Sequence, residues 1–160
     1  MSQLKVEVTR SQRRKRTAQA FVANGKLRVL IPAGLGPDEE ARLIDDMVAK
    51  ASRRLSTAEI DLERRARDLA REYRLQTPAT IEWSSRQMRR WGSCTPSTGK
   101  IRISSRLASM PLWVLDWVII HELSHLEEAN HGPRFRALVG QYELAERAIG
   151  YLMARGDDPT

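Results

Sequence analysis

A buried helix is the first structure that this sequence requires, because the run from Leu112 to Ile120 is almost wholly apolar. The helix continues into His121-Glu122-Leu123-Ser124-His125. Residues four apart lie on nearly the same face of a helix, so His121 and His125 can direct their imidazoles at one metal ion. Glu122 lies one residue further round, where its carboxylate can reach a water beside the metal without binding the metal. The segment therefore predicts a zinc-binding helix with Glu122 as a general base.

His131 supplies a third nitrogen ligand in this prediction, and all three histidines of the chain fall within one short segment. On an unbroken helix His131 would lie about 9 Å beyond His125, too far for metal–nitrogen bonds of about 2 Å. The helix is expected to end and the chain to turn back at Asn130-His131-Gly132-Pro133, since Asn and Gly tolerate left-handed backbone and Pro can begin a new helix. Three histidines with an open fourth position are typical of catalytic zinc. The alternative is a chance HExxH on an ordinary helix.

Composition favours a globular protein of one domain. The 160 residues are 41% hydrophobic and 29% charged, and a chain of this length can bury a substantial core. No stretch approaches the apolar length of a membrane span, and residues 1–16 lack the apolar centre and cleavage site of a secretory signal. The single cysteine permits no internal disulfide. Together these features predict a cytoplasmic protein with no membrane partner.

The chain is basic, with a net charge of +7 and an isoelectric point near 10.2. Part of this charge is a run near the N-terminus that contains Arg10, Arg13, Arg14, Lys15 and Arg16. Such a run can follow the phosphates of a nucleic acid, or it can be a solvated loop or strand face. DNA contact is therefore one prediction, with ordinary surface charge as its alternative. The sequence does not indicate an oligomeric state.

Strand patterns come first along the chain. Leu4 to Thr9 alternates apolar and polar residues, as a half-buried strand does. Two further strands, Thr17 to Ala23 and Lys26 to Ile31, flank Asn24-Gly25, which is the strongest short signal for a type I′ hairpin turn.

Two helices are predicted next. Asp38 to Glu40 places negative charge at the start of the first helix, whose apolar face continues to about Leu55. Ser56 and Glu59 form a capping-box pattern for the second. Its outer face mixes acids with arginines and is typical of a solvated surface. Those arginines are Arg64, Arg65, Arg67 and Arg71.

After Pro78 the spacing of apolar residues changes from that of a helix to that of a strand. Ala79 to Trp83 and Lys100 to Ser104 are predicted strands, the second of them preceded by the turn-forming run Thr95 to Gly99. Pro133 is expected to open one last helix that packs through residues as far as Leu152, and residues 156–160 form a frayed tail.

Three motifs lie at characteristic separations between Gln87 and Phe135. They are Arg90-Trp91-Gly92-Ser93-Cys94, the run Asp116 to His125, and Asn130-His131 followed by Phe135, with the strand Lys100 to Ser104 after the first. This combination resembles the YgjP-like metallopeptidase family. That family is a minimal zincin, similar to the SprT-like and Spartan group of proteases.

The resemblance implies an α+β, zincin-like fold with a small, mostly antiparallel sheet, an N-terminal hairpin packed on the HExxH helix, and further helices. With the chain length, it predicts a single metallopeptidase domain over residues 1–155: strands in 1–35, helices in 38–75 and a catalytic core in 79–155. It implies that His121, His125 and His131 bind Zn²⁺ and that Glu122 is the catalytic acid/base of peptide hydrolysis. A protein or peptide is then the substrate.

Other ligand sets stay open at this point. Glu143 or Glu146 could replace His131, as in zincins whose third ligand is a carboxylate. Cys94 could also replace His131, which would make the site resemble a peptide deformylase, or join the three histidines in a closed structural site. Otherwise Cys94 is a small buried residue that supports the loop of Trp91.

Two predictions concern binding partners. Lys100 to Ser104 is the candidate for an edge strand that pairs with an extended peptide, with an interior strand as the alternative. Arg86, Arg89 and Arg90 lie beside Trp91, as in single-strand nucleic-acid platforms, but packing beside the metal site is the favoured interpretation of Trp91. The functional alternatives are a nucleic-acid-binding module with structural zinc, or a protease acting on DNA-bound proteins, as the Spartan resemblance suggests.

Overall fold

The computed structural model describes residues 5–155, so the predictions for Leu4 and for the tail at 156–160 lie outside the described residues. The strands in this range are β1 (Lys5–Ser11), β2 (Gln19–Ala23), β3 (Lys26–Pro32), β4 (Thr80–Ser84), β5 (Gly92–Thr95) and β6 (Lys100–Ser104). The helices are α1 (Pro37–Glu59), α2 (Leu62–Glu72), α3 (Leu112–Ser124), α4 (Pro133–Val139) and α5 (Ala145–Met153), with a 3₁₀ helix at Ser105–Ser109. The predicted α+β class is confirmed.

The chain divides into two compact units, and the boundary between Leu55 and Ser56 falls inside α1. The first unit contains β1 to β3 and most of α1, and the second contains all later elements. The single domain over residues 1–155 stays a prediction. No helix within the described range is both long and apolar enough to cross a membrane.

The first unit is a three-stranded sheet covered by α1. β3 lies between β1, which pairs with it in parallel, and β2, which pairs with it antiparallel. The β2–β3 hairpin turns at Asn24 and Gly25, whose φ angles of 53° and 70° are the positive values that a type I′ turn requires. This turn was predicted and is confirmed.

One face of β3 forms the core of the first unit. Leu27, Val29 and Ile31 alternate along the strand, are at most 2% exposed, and pack against the apolar face of α1. The β2–β3 hairpin thus packs on α1 within its own unit, and its predicted packing on the HExxH helix stays a prediction. The expectation of a small, mostly antiparallel sheet is corrected, because each unit has its own mixed sheet of three strands.

The predicted boundary between the first two helices is wrong. α1 continues through Ser56 to Glu59, and α2 starts after Asp61, whose side chain accepts a hydrogen bond of 2.9 Å from the backbone N–H of Arg64. Asp is among the strongest N-cap residues, and the helix after it begins with buried Leu62. The N-cap of α2 is therefore Asp61 and not Ser56.

The second unit is built around α3, in which every residue from Val114 to Ser124 is buried. Its sheet has the order β4-β6-β5, so β6 pairs in parallel with β4 on one side and antiparallel with β5 on the other. Ile101 and Ile103 of β6 are fully buried in the same core as α3. β6 is thus the central strand, and the prediction that Lys100 to Ser104 forms a sheet edge is wrong.

An ion pair between Arg65 and Asp116 connects α2 with α3. The guanidinium of Arg65 hydrogen-bonds both carboxylate oxygens of Asp116, with Nη2 to Oδ2 at 2.7 Å. This accounts for the single charge in the apolar run of α3, since a buried carboxylate needs a partner of this kind. Arg65 therefore does not belong to the solvated face of α2, whereas Arg64 and Arg67 do.

The chain after Pro133 forms two helices instead of the single one predicted. α4 ends at Val139 and α5 begins at Ala145, with Tyr142 between them donating a hydrogen bond of 3.0 Å to the carbonyl of Trp113 on α3. Tyr142 is 8% exposed, so this bond satisfies its buried hydroxyl.

Candidate active site and metal centre

The HExxH residues lie at the C-terminal end of α3, where the helix emerges from the core. His121 and Glu122 are 8% and 6% exposed. The helix ends at Ser124, but His125 keeps right-handed helical angles and donates its N–H to the carbonyl of His121. The helical register therefore extends to His125, and both imidazoles lie on one face, as the four-residue spacing predicts.

The turn that returns the chain to the site uses no left-handed backbone. Within residues 5–155, positive φ occurs at Asn24, Gly25, Arg74 and Gly99. The reversal is made by a turn directly after His125 and by a hydrogen bond of 2.8 Å from the N–H of Gly132 to the carbonyl of Asn130. Pro133 then begins α4. The helix does end as predicted, but earlier, and the expected left-handed residues at 130–132 are wrong.

Three histidines converge after this turn. One ring nitrogen from each of His121, His125 and His131 lies within 4.8 Å of the other two, and no other group of three or more His, Cys, Asp or Glu in the described range comes together in this way. The Nε2 atoms of His125 and His131 are 3.1 Å apart. A tetrahedral ion with zinc–nitrogen bonds of 2.0–2.1 Å separates its ligands by about 3.3 Å, so the observed spacing fits such an ion.

The imidazoles are held in a form that can bind a metal. Nδ1 of His125 lies 3.2 Å from the carbonyl oxygen of Glu128, and an Nδ1–H donated there leaves Nε2 with a free lone pair. Burial lowers the pKa of His121 to about 3, with the charges of His125 and His131 acting in the same direction. Burial also lowers the pKa of His125. Both rings are therefore neutral near pH 7, which is the protonation state of a ligand.

Phe135 packs against all three histidines. Its ring is stacked on His125 at 4.4 Å between centroids and meets His121 and His131 edge-on at 4.9 and 4.7 Å. The ring is 3% exposed, and α4 supplies it from the turn directly after Pro133. Phe135 thus fixes the orientation of the three imidazoles, a role that its place in the sequence motif did not reveal.

Glu122 lies beside the triad in the same cleft. The cleft has a volume of about 440 Å³, and its lining includes the three histidines, Glu122 and the strand β5. Burial raises the pKa of Glu122 to about 8, and the positive charge of Arg90 opposes this rise. A carboxylate with a pKa in this range can both accept and donate a proton near neutral pH.

The family to which the chain belongs is shown by comparison with known proteins. The model of the YgjP-like, metallopeptidase domain matches residues 30–143, which is more than half of the chain. The chain belongs to the YgjP-like metallopeptidase family. Its fold is similar to that of the metallopeptidase zymogen of Pyrococcus abyssi abylysin, with a TM-score of 0.54 and 18% identity over 61% of this chain and 98% of that chain. No curated protein matches the sequence.

Family membership makes this chain a metallopeptidase, and the triad is where the YgjP-like protein brings together side chains that could hold a metal ion. Cys94, Glu143 and Glu146 do not join that cluster. Cys94 lines the cleft, where burial and the charge of Glu122 raise the pKa of its thiol to about 11. The two glutamates of the last segment are exposed. The described geometry thus favours His131 over these three residues as the third ligand.

β5 forms the wall of the cleft opposite α3 and is one edge of its sheet. Gly92 is required at this place, since a Cβ there would lie 2.4 Å from Oε1 of Glu122. The sequence predicts no strand here, because the four residues Gly92–Thr95 carry no apolar alternation. The turn-forming run Thr95 to Gly99 that follows is the pattern from which a hairpin between this segment and β6 could have been predicted.

A network behind β5 holds the loop that contains Trp91. The backbone N–H of Ser104 donates to the carbonyl of Trp91 at 2.8 Å, and the guanidinium of Arg106 lies 3.8 Å from the centre of the Trp91 ring. Trp91 is only 5% exposed. Its ring therefore packs beside the site, and the predicted base-stacking platform is not formed by this tryptophan. No pattern in the sequence indicates these contacts of Ser104 and Arg106.

Proposed function

We propose that this YgjP-like protein is a zinc-dependent endopeptidase of the HExxH type, in which His121, His125 and His131 hold the ion and Glu122 is the general base. The observation that carries this proposal is the convergence of three imidazole nitrogens beside one buried carboxylate in an open cleft. The cytoplasmic location stays a prediction from the sequence.

The donor set fits zinc. Three imidazoles suit a borderline-soft divalent ion. Burial lowers the pKa of His121 and of His125, which keeps both rings neutral and able to bind a metal. The Nδ1 contact of His125 with the carbonyl of Glu128 is the kind of outer hydrogen bond that orients a metal ligand. A zinc ion bound here supplies Lewis-acid chemistry, which polarises a peptide carbonyl and acidifies a water molecule.

The protein's own residues then handle the proton and the peptide. The carboxylate of Glu122 accepts a proton from the attacking water and delivers it to the leaving amine as the C–N bond breaks. Its burial excludes bulk water, and Gly92 allows the carboxylate to lie directly against β5. The free edge of β5 takes the peptide-pairing role that was predicted for β6, because β6 has strands on both sides.

Glu122→Gln is the variant that tests the proposal. We expect cleavage of an unfolded protein substrate to fall by about 10²- to 10⁴-fold, because proton transfer by a positioned side chain contributes this much. Bound zinc, measured by elemental analysis, should be unchanged, whereas His125→Ala should lose it. Equal cleavage by wild type and Glu122→Gln would contradict the role of Glu122. No cleavage by either, with zinc bound to both, would favour a module in which the metal is structural.

A second candidate function is contact with nucleic acid, including a protease that acts on DNA-bound proteins. The supporting observation is the distribution of charge. Residues 5–55 contain twelve Lys and Arg against six Asp and Glu, a net charge of +6, whereas residues 56–155 contain fifteen against twelve. Arg13, Lys15 and Arg16 are exposed in the loop between β1 and β2. An excess of this kind attracts polyanions.

A further inference from the structure

Arg90 is a charged side chain of the cleft whose function the metal site does not explain. It lines the cleft, and its positive charge acts on Glu122 at the reacting end. Apart from Glu122, the lining contains no Asp or Glu. The cleft therefore presents a cation to whatever segment of substrate lies beside Glu122.

The backbone of Arg90 is held in place. Nη2 of Arg106 donates to the carbonyl oxygen of Arg90 at 3.4 Å, and Arg106 also stacks on the adjacent Trp91 at 3.8 Å. The carbonyl of Trp91 in turn accepts the N–H of Ser104 at 2.8 Å. The loop that carries Arg90 is thus fastened to the end of the central strand β6, which reduces the conformational freedom lost on binding.

The side chain of Arg90 is exposed, and its charge acts on Glu122 without an ion pair between the two groups. Within the described residues, no side chain forms an ion pair or a hydrogen bond with it. Other arginines of this unit have carboxylate partners, such as Arg65 with Asp116 and Arg102 with Glu82. A guanidinium that lines a cleft, on a backbone held by Arg106, offers paired donors to a carboxylate of the substrate.

We propose that Arg90 determines specificity by binding a carboxylate of the peptide substrate, so that peptides with an acidic group close to the scissile bond are preferred. This inference rests on the proposed peptidase function. The carboxylate can belong to an Asp or Glu side chain or to a substrate C-terminus, because both have the same chemistry. Arg90 contributes to the choice of substrate, while Glu122 and the histidines carry out the reaction.

Matched peptides test this inference. One set places Glu, Gln or Lys at each position around a single cleavable bond, and a second set ends in either a free carboxylate or an amide. The enzymes are wild type, Arg90→Glu and the control Arg89→Glu, which reverses a neighbouring exposed arginine outside the cleft lining. Cleavage sites and rates are read by mass spectrometry.

We expect the wild type to cleave the Glu peptide about tenfold faster than the Lys peptide at one position. A rate ratio of this size corresponds to the net energy of one hydrogen bond to a charged group. Arg90→Glu should reverse that preference, and Arg89→Glu should keep it. A preference confined to free C-termini would assign the carboxylate to the substrate terminus. If Arg90→Glu lowers the cleavage rate of every peptide by the same factor, the inference is overturned and Arg90 takes part in the chemistry. An unchanged preference would overturn it as well.

A binding measurement separates failure of this inference from failure of the peptidase proposal. Trp91 and Trp117 line the cleft, so tryptophan fluorescence can report peptide binding to Glu122→Gln without cleavage. Tighter binding of the Glu peptide than of the Lys peptide, reversed by adding Arg90→Glu, would support Arg90 even if the wild type cleaves nothing. Equal binding of both peptides would overturn it.

Discussion

At the scale of single residues, Gly92 sets the distance between the wall of the cleft and Glu122. A Cβ at this position would lie 2.4 Å from Oε1 and 2.7 Å from the carboxyl carbon of Glu122. The Cβ would also lie 2.7 Å from Cγ, so the buried side chain of Glu122 has to move to admit it. When the side chain moves, its carboxylate leaves its place beside the histidines. Gly92 is therefore needed to keep the carboxylate of Glu122 in its place.

Gly92→Ala should separate these two effects. We expect peptide cleavage to fall by about 10²-fold or more, because a displaced base loses the advantage of positioned proton transfer. Bound zinc should be retained, and the unfolding free energy should fall by about 1–3 kcal/mol, the usual cost of an extra methyl group in a packed site. Gly150→Ala is the matched control, since a Cβ there meets nothing within 4 Å. A Gly92→Ala protein with wild-type activity would show that the close approach to Glu122 is unimportant.

At the scale of helices and strands, the structure shows which features can be predicted from sequence. The helix α3 and the pairing of His121 with His125 depend on local spacing, so both were predictable. The order β4-β6-β5 was not, because Ile101 and Ile103 alternate in the same way in a central strand and in an edge strand. Only pairing across the sheet distinguishes the two.

The same limit applies to the residues around the histidines. Phe135 touches three rings that lie between four and fourteen positions away in the sequence, and Arg106 reaches Trp91 across the β5–β6 hairpin. Such contacts are set by how the elements pack and not by local pattern. The donor atoms of the site were therefore predictable, while the residues that orient them were not.

The edge strand β5 provides the prediction that belongs to this scale. Its free edge is expected to pair with an extended peptide, because Gly92, Ser93 and Cys94 line the cleft. Backbone amides in β5 should exchange hydrogen more slowly when an uncleaved peptide is added to Glu122→Gln. β4 is the control, since it is the other edge of the same sheet and does not line the cleft. Equal changes in both strands, or none in β5, would contradict pairing at this edge.

At the scale of the whole molecule, the positive charge is unevenly divided along the chain. Most of the excess lies in residues 5–55, where Arg10 pairs with Glu40 but Arg13, Lys15 and Arg16 are exposed in one loop. The arginines of α2 differ, because they alternate with acids: Arg64 lies 3.9 Å from Asp68, and Arg67 lies 3.8 Å from Glu63. Charges neutralised within the helix attract phosphates less.

This contrast gives a matched pair of variants for nucleic-acid binding. Reversing Arg13, Lys15 and Arg16 to Glu changes the net charge as much as reversing the α2 residues Arg64, Arg67 and Arg71 to Glu. If the loop contacts phosphates, the first triple variant should bind single-stranded DNA with a shallower slope of log K against log salt concentration. The expected change in slope is about two, since each lost phosphate contact reduces it by about 0.7. Fluorescence anisotropy with a labelled oligonucleotide at several salt concentrations measures this slope. Equal slopes for the two variants would mean that net charge alone attracts the DNA, and no binding by wild type at low salt would exclude the contact.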